Sequence, residues 1–276
     1  MYIKNFITIF VNKTNQPKSI IKIMIENLFS VKGKVALITG GAKGLGAMMT
    51  QALVEAGAKV YISSRSVSAC AAFAEEMSKI GECIALPMDL ASVENCKKLA
   101  AQLGEREEKL DILINNSGVS WGATLEDFPE KGWDKVMNIN VKSVFFLTQS
   151  LLPMLKLAGT AETPSRVINI SSIAAKNNDS LSAYSYGPSK AAVTQLTRLL
   201  AKDLVKDNIL VNAIAPGFFP SNMTSHYDQK AIIAKTPMGR IGKPTDIAGL
   251  IIYLCSSGSN FMTGNYIPID GGALLM

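Results

Sequence analysis

Residues 34–57 read KVALITGGAKGLGAMMTQALVEAG: a short apolar run, a glycine-rich turn and a helical pattern in direct succession. The run Lys34–Thr39 is rich in the residues that buried strands favour. The pattern Ala47–Ala56 is that of a helix, and Gly57 follows it as a C-terminal cap. The stretch therefore predicts a strand–turn–helix unit, the building block of an α/β fold.

The turn has the spacing T-G-x-x-x-G-x-G, with its fixed glycines at Gly40, Gly44 and Gly46. Glycines let a backbone approach a pyrophosphate closely, and the helix that follows presents free N–H groups and a positive dipole end. A glycine-rich turn without a ligand is the alternative interpretation. Because a strand precedes the turn and a helix follows it, we favour a dinucleotide site.

The end of the second apolar run, Lys59–Ser63, indicates which dinucleotide fits. A site for NAD places an acidic residue about 20 positions after the glycine turn, where it binds the ribose 2′-hydroxyl. Here Ser64 stands twenty residues after Gly44 and is followed by Arg65, while Lys43 lies within the turn. Two cations and no carboxylate favour the 2′-phosphate of NADP(H), since a guanidinium binds phosphate well.

The remainder of the chain alternates short apolar runs with helical patterns, without a composition break or an internal repeat. This alternation predicts one α/β domain: a doubly wound (Rossmann) sheet of seven mostly parallel strands with helices on both faces. We expect loops at Lys156–Pro164 and between Phe218 and Lys235, the latter as a substrate loop. The further predicted strands are Cys83–Met88, Leu110–Ile114, Arg166–Ile170, Leu210–Ile214 and Tyr266–Ile269, and the further helices are Ser92–Leu103, Trp133–Leu155, Tyr186–Lys206 and Thr245–Ser256.

Tyr186 and Lys190 stand four residues apart, a spacing that places them on one face of a helix. A fixed positive charge lowers the pKa of a nearby phenol, whose usual value is about 10. The pair is therefore a candidate proton-transfer device for interconverting a carbonyl and an alcohol. A surface pair without chemistry is the alternative for this short motif.

Composition excludes several other classes of function. Apolar residues make up 48% of the chain and charged residues 18%, as in a globular domain. Four of the six net positive charges fall within residues 1–23, so the basic balance does not indicate nucleic-acid binding. The single histidine, His226, disfavours a Ser-His-Asp triad. No apolar run is long enough to predict a membrane span.

Four cysteines, Cys70, Cys83, Cys96 and Cys255, lack C-x-x-C spacing, and we expect buried thiols, with no disulfide and no metal site. Residues 1–23 are predicted to form a poorly ordered N-terminal extension with few contacts, followed by the oxidoreductase domain at 24–276. A mitochondrial targeting segment and a secretory signal are the alternatives for the extension. It lacks the arginine expected of the first and has only a short apolar core for the second.

From about Leu28 to Leu274 the chain resembles the short-chain dehydrogenase/reductase family. Within that family it is most similar to the 3-oxoacyl reductases of fatty-acid and rhamnolipid biosynthesis. The resemblance implies NADPH-dependent reduction of a carbonyl, with a 3-oxoacyl thioester as substrate. Reductases of small ketones, sugars or steroids, and a dinucleotide-binding regulatory protein without turnover, remain alternatives. The matching motifs are Thr39-Gly40…Gly44…Gly46, Asp89, Asn115-Asn116-Ser117-Gly118, Asn140, Ser172, Tyr186…Lys190, Pro216-Gly217 and Asp270-Gly271-Gly272.

The resemblance also implies roles for individual residues. Tyr186 would be the general acid, Lys190 would lower its pKa and hold the nicotinamide ribose, Ser172 would polarise the carbonyl, and Asn140 would support a proton-relay water. The spacing to Tyr186 leaves Ser171 as an alternative to Ser172. The implied NADP(H) contacts are Gly40, Lys43, Gly44, Leu45, Gly46, Ser64, Arg65, Asp89, Leu90, Asn116, Ser117, Gly118, Tyr186, Lys190, Pro216, Gly217 and Ser221.

The same resemblance implies partners and a location. An acyl carrier protein is an expected partner if the substrate is carried on one, and a homotetramer or dimer is the expected assembly. We expect a cytoplasmic protein, or a mitochondrial one if residues 1–23 are a targeting segment. We expect neither a nucleic-acid partner nor a membrane span.

Overall fold

The computed structural model describes residues 27–177, 182–221 and 228–276. The predictions for the N-terminal extension and for His226 lie outside these residues. The strands are β1 Val35–Thr39, β2 Lys59–Ser63, β3 Cys83–Ala85, β4 Ile112–Asn115, β5 Ser165–Ile170, β6 Ile209–Pro216 and β7 Tyr266–Ile269. The helices are α1 Gly44–Glu55, α2 Val67–Met77, α3 Val93–Gly104, α4 Glu130–Met137, α5 Ser143–Ala158, α6 Tyr186–Leu204, α7 Gln229–Ala234 and α8 Pro244–Cys255.

The strands form one sheet in the order β3-β2-β1-β4-β5-β6-β7, with all neighbours parallel. The chain builds outward from β1 to β3, then returns to the other side of β1 and continues from β4 to β7. The direction of winding therefore changes between β1 and β4. In open parallel sheets a ligand binds beside such a switch point, at the carboxyl ends of the strands.

Alternate side chains of each central strand pack on opposite faces, which gives the sheet two hydrophobic cores. On one face, Ala36 and Ile38 of β1 pack with residues of α1, α2 and α8. On the other, Val35 and Leu37 pack with residues of α3, α5 and α6. Because both faces are covered, the strands read as continuous apolar runs, and the doubly wound seven-stranded fold predicted from sequence is confirmed.

Several element boundaries differ from the prediction: α2 was not predicted, and the predicted helix Trp133–Leu155 is α4 and α5 with a π-helical turn, Asn138–Lys142, between them. β3 ends at Ala85, short of the predicted Met88, although Leu86 N and Met88 N still donate to Ile62 O and Ser64 O at 2.8 and 3.0 Å. α5 continues to Ala158, whose side chain is buried, into the segment expected as a loop. α7 forms within the predicted substrate loop, where the Asp228 side chain accepts a hydrogen bond from Lys230 N.

All four cysteines are buried and free, as predicted. Burial raises the pKa of Cys83 and Cys255 to about 12, so both thiols stay protonated near neutral pH. In the three ranges that the structure covers, none of the helices is both long enough and apolar enough to span a bilayer.

Candidate active site

A cleft of about 550 Å³ opens at the carboxyl ends of the strands, at the switch point between β1 and β4. Its lining contains the glycine turn after β1, the segment after β2, the polar turn after β4, the end of β5, the start of α6 and the end of β6. All seventeen residues predicted to contact a dinucleotide line this one cleft, together with Ser171 and Ser172. Asn140, the remaining predicted site residue, lies behind its wall.

The glycine turn is shaped so that side chains cannot enter it. Gly40 has a φ of +64°, a conformation that favours glycine, and its N–H donates to Ser63 O at 2.6 Å. A Cβ built on Gly46 would overlap the carbonyl oxygen of Gly40. The Thr50 hydroxyl braces the turn from α1 by donating to Gly41 O at 3.0 Å. At Gly40 and Gly46 the turn therefore presents backbone to the cleft.

Helix α1 begins at Gly44, within the glycine-rich turn. Its N-cap residue is Lys43, whose side chain makes no capping hydrogen bond, and the first turn of the helix carries no acidic residue. The positive end of the helix dipole is therefore not neutralised by a carboxylate of that first turn. Backbone N–H groups at such a helix start bind phosphate, so this part of the cleft fits a pyrophosphate.

The turn after β4 is tied to the glycine turn through Thr39 and Asn116. Thr39 Oγ1 accepts the N–H groups of Asn116 and Ser117, both at 3.0 Å. The Asn116 Nδ2 amide donates to Thr39 O at 2.9 Å and to Gly40 O at 3.2 Å. Both hydrogens of this amide thus hold the two turns together, a role that the sequence did not reveal.

The residues predicted to select the cofactor lie at the end of the cleft formed by the segments that follow β2 and β3. Lys43 and Arg65 are exposed on its rim, with Ser64 beside Arg65. Asp89 also lines this end, and its Oδ1 accepts the N–H of Ala91 at 3.1 Å. The rim of the cleft therefore carries two exposed cations, Lys43 and Arg65.

At the other end of the cleft, Lys190 lies on the buried face of α6. Only 4% of the residue is exposed, and Nζ donates to Ile170 O at the end of β5, at 2.7 Å. Nζ is 5.7 Å from the centroid of the Tyr186 ring. Burial lowers the pKa of Lys190 from 10.5 to about 8, so the amine remains mostly charged at pH 7.

The two serines after β5 have different surroundings. The Ser171 hydroxyl is turned toward α6, 3.0 Å from Lys190 O and 2.8 Å from Thr194 Oγ1. Ser172 Oγ accepts the N–H of Ala174 at 3.1 Å, and this leaves its own hydrogen available. Because Ser171 is occupied within the fold, the geometry favours Ser172 as the residue that donates to a substrate oxygen.

Asn140 lies in a π-helical turn, Asn138–Lys142, between α4 and α5. Its Oδ1 accepts the N–H of Val119 at 2.8 Å, and its Nδ2 donates to Val119 O at 3.0 Å and to Ser189 Oγ at 2.9 Å. The Ser189 hydroxyl in turn donates to Tyr186 O at 2.7 Å. Asn140 therefore connects the rim of the cleft to the start of α6.

Sequence analysis singled out Asn140 but missed Ser189 and Val119. π-helical turns recur at functional sites, and an asparagine inside a helical pattern was the available signal. Asn140 Oδ1 and Lys190 Nζ also flank one position: a Cβ on Gly118 would lie 3.6 Å from the first and 3.4 Å from the second. Asn140 and Lys190 therefore both lie against Gly118 at the wall of the cleft.

Comparison with known proteins agrees with this geometry. Residues 40–273 match the family model described as enoyl-(acyl carrier protein) reductase. The chain is 52% identical over 249 residues to the rhamnolipids biosynthesis 3-oxoacyl-[acyl-carrier-protein] reductase of Pseudomonas aeruginosa, covering 88% of this chain and 97% of that one. It is 37% identical over 257 residues to the 2-dehydro-3-deoxy-D-gluconate 5-dehydrogenase of Dickeya dadantii, covering 91% and 99%.

Among solved structures, the chain superimposes on the Pseudomonas aeruginosa RhlG/NADP active-site complex with a TM-score of 0.88 and 51% identity, covering 90% of this chain and 99% of that one. Sequence, fold and the residues gathered in the cleft agree with one another. The chain belongs to the short-chain dehydrogenase/reductase family of oxidoreductases.

Proposed function

We propose that this protein reduces a 3-oxoacyl thioester to the 3-hydroxyacyl thioester with NADPH. The observation that carries the proposal is that Ser172, Tyr186 and Lys190 line the same cleft as the phosphate-type glycine turn. A device for proton transfer and a cradle for a dinucleotide thus share one space. When bound, the dinucleotide supplies a hydride to the carbonyl carbon.

The glycine turn and the start of α1 would hold the pyrophosphate, since Gly40, Gly44 and Gly46 expose backbone there. Lys43 and Arg65 would bind the 2′-phosphate of NADPH and so discriminate against NADH. Lys190 would hold the nicotinamide ribose and Asp89 the adenine. The exposed position of both cations supports this assignment.

The remaining chemistry falls to the residues at the end of β5 and the start of α6. Ser172 donates its hydroxyl hydrogen to the substrate carbonyl oxygen and polarises it. Tyr186 gives its phenolic proton to that oxygen, which completes the alcohol. The buried ammonium of Lys190 stabilises the phenolate that is left, and the space beside Gly118 and Asn140 allows a proton to return from solvent.

An aromatic cluster lies on the loop that leaves the cleft after Val119. The ring of Phe128 packs edge-on against Tyr184 at 5.9 Å and against Trp133 at 6.4 Å. The loop is tied to the segment before α6 by Ala123 N donating to Ser182 O at 3.0 Å. The three rings do not line the cleft, and they would offer apolar contacts to an acyl chain that extends beyond it.

Partners and location follow from the same proposal. A thioester substrate would be delivered on coenzyme A or on an acyl carrier protein, and the reductase would act in the cytoplasm as a homotetramer or dimer. Size-exclusion chromatography with light scattering measures the assembly directly. Initial rates with acetoacetyl-CoA against an acetoacetyl-carrier protein separate the two carriers.

The decisive experiment follows NADPH and NADH oxidation by the purified protein with acetoacetyl-CoA and plain ketones, and reduction of NADP⁺ and NAD⁺ with 2-dehydro-3-deoxy-gluconate. We expect turnover with NADPH and the thioester. Tyr186→Phe should abolish turnover while NADPH binding stays nearly intact, and Tyr184→Phe, two residues away, is the matched control. Unchanged turnover in Tyr186→Phe would refute the mechanism, and preference for the sugar acid would refute the substrate.

A further inference from the structure

One tyrosine outside the predicted site contacts both ends of the short turn that follows the two serines. The turn is a single 3₁₀ turn, Ile173–Ala175, which begins after Ser172 and ends at Lys176. The hydroxyl of Tyr266, on β7, donates to Ser172 O at 3.1 Å. The Nζ of Lys176 lies 4.3 Å from the centroid of the same ring. Tyr266 therefore contacts the backbone of Ser172 at the start of the turn and the side chain of Lys176 at its end.

We propose that Tyr266 is a positioning residue for Ser172, setting the direction in which the Ser172 hydroxyl points. Ser172 has an extended backbone, with φ −167° and ψ 158°. The bond from Ala175 N sets the Ser172 carbonyl relative to the turn, and the bond from the Tyr266 hydroxyl ties the same peptide plane to β7.

The Ser172 carbonyl accepts two hydrogen bonds, one from Ala175 N within the turn at 3.1 Å and one from the Tyr266 hydroxyl, and of these two only the Tyr266 bond joins the turn to β7. Ser171 is held by its own groups, because its N–H donates to Ile214 O at 2.8 Å and its hydroxyl to Lys190 O. Ser172 Oγ is engaged with the N–H of Ala174 inside the turn. These bonds fix the residue before Ser172 and the interior of the turn, but not the orientation of the turn against the sheet.

The state of the Tyr266 side chain suits this role. Burial, followed by the nearby Asp270 carboxylate, raises the pKa of Tyr266, so its hydroxyl remains a donor throughout the working pH range. The Lys176 ammonium over the ring adds an attraction of the cation–π type, which resists movement of the turn away from β7.

Hydrogen exchange tests the positioning link without relying on the proposed function. In Tyr266→Phe, amide exchange in a peptide covering Ser172–Lys176 should be several-fold faster than in the wild type. The matched control is Tyr253→Phe, which also removes one tyrosine hydroxyl, there bonded to Met262 Sδ at 3.1 Å. Equal exchange of that peptide in the wild type and Tyr266→Phe would overturn the proposal.

The kinetic consequence rests on the proposed reduction. Loss of one neutral hydrogen bond at the reacting geometry should lower kcat about tenfold, with the NADPH dissociation constant unchanged. In a Ser172→Ala background, assayed at high enzyme concentration, Tyr266→Phe should have no further effect, because both act through one hydroxyl. An additive loss would instead show a general structural role and refute the link to Ser172.

Two further outcomes are informative. If the wild type shows no turnover, the proposed function fails, while the exchange experiment still decides whether Tyr266 holds the turn. If Tyr266→Phe does not fold, Lys176→Met keeps the hydroxyl and removes only the exposed ammonium. That variant should still speed exchange in the turn at least twofold, and no change in it would count against the proposal.

Discussion

Replacing Lys190 by methionine should stabilise the folded protein at neutral pH while abolishing turnover. Burial lowers the pKa of Lys190 from 10.5 to about 8. At roughly 1.4 kcal/mol for each pH unit, keeping this amine charged in the fold opposes folding by about 3 kcal/mol. Methionine fills a similar volume but loses the charge-assisted hydrogen bond to Ile170 O, and this loss lowers the free energy of unfolding by about 1.5–3 kcal/mol. We expect a net gain of up to about 1.5 kcal/mol.

The sign of the pH dependence follows from the direction of the shift. The folded-state pKa of Lys190 lies below its unfolded value, so between about pH 8 and pH 10.5 the unfolded chain binds more protons than the folded one. The wild type therefore gains stability as the pH rises through this window. The advantage of Lys190→Met is fully present below about pH 8 and shrinks toward pH 10.5.

Urea unfolding of both proteins without dinucleotide, at about pH 7 and about pH 9.5 and one protein concentration, measures this difference. Lys202→Met is the matched control, because Lys202 is exposed on the same helix. Its effect should be small and should not change with pH. The reasoning is refuted if Lys190→Met is less stable than the wild type at neutral pH, or if its advantage is the same at both pH values.

Three further substitutions test other parts of the structure. Arg65→Glu should raise the KM for NADPH at least tenfold and that for NADH much less, as initial-rate kinetics would show. Gly46→Ala places a methyl group onto the Gly40 carbonyl and should abolish dinucleotide binding in a fluorescence titration, with the fold intact by circular dichroism. Arg166→Met should lower the free energy of unfolding, measured in urea, by about 2 kcal/mol, because three oxygen acceptors lose this buried guanidinium as their donor. The control Arg198→Met removes an exposed guanidinium from α6 and should have little effect.

The parts of the fold and site that sequence predicted are those set by short spacings. The glycine motif is complete within seven residues, from Gly40 to Gly46, and Tyr186 and Lys190 are separated by about one helical turn. The strands could be predicted as continuous apolar runs because helices cover both faces of the sheet.

The parts that sequence missed depend on contacts between distant segments. Asn116 was expected to contact the dinucleotide and lines the cleft, and its amide hydrogens also join two turns that are far apart in the chain. Ser189 became visible only as the acceptor for Asn140, and Tyr266 only as the donor to Ser172. No local pattern marks such residues, since each is an ordinary member of its own helix, turn or strand.

The pairing of strand β5 with helix α6 shows why spacing alone could not define the chemistry. Two consecutive residues of the strand end contact both ends of one lysine: Ile170 O accepts from Lys190 Nζ, and the Ser171 hydroxyl donates to Lys190 O. The position of the amine relative to Ser172 is therefore set by how the helix docks on the sheet, whereas its position relative to Tyr186 is set within the helix. Substitutions that shift this docking should reduce turnover even when they touch neither the phenol nor the dinucleotide cradle.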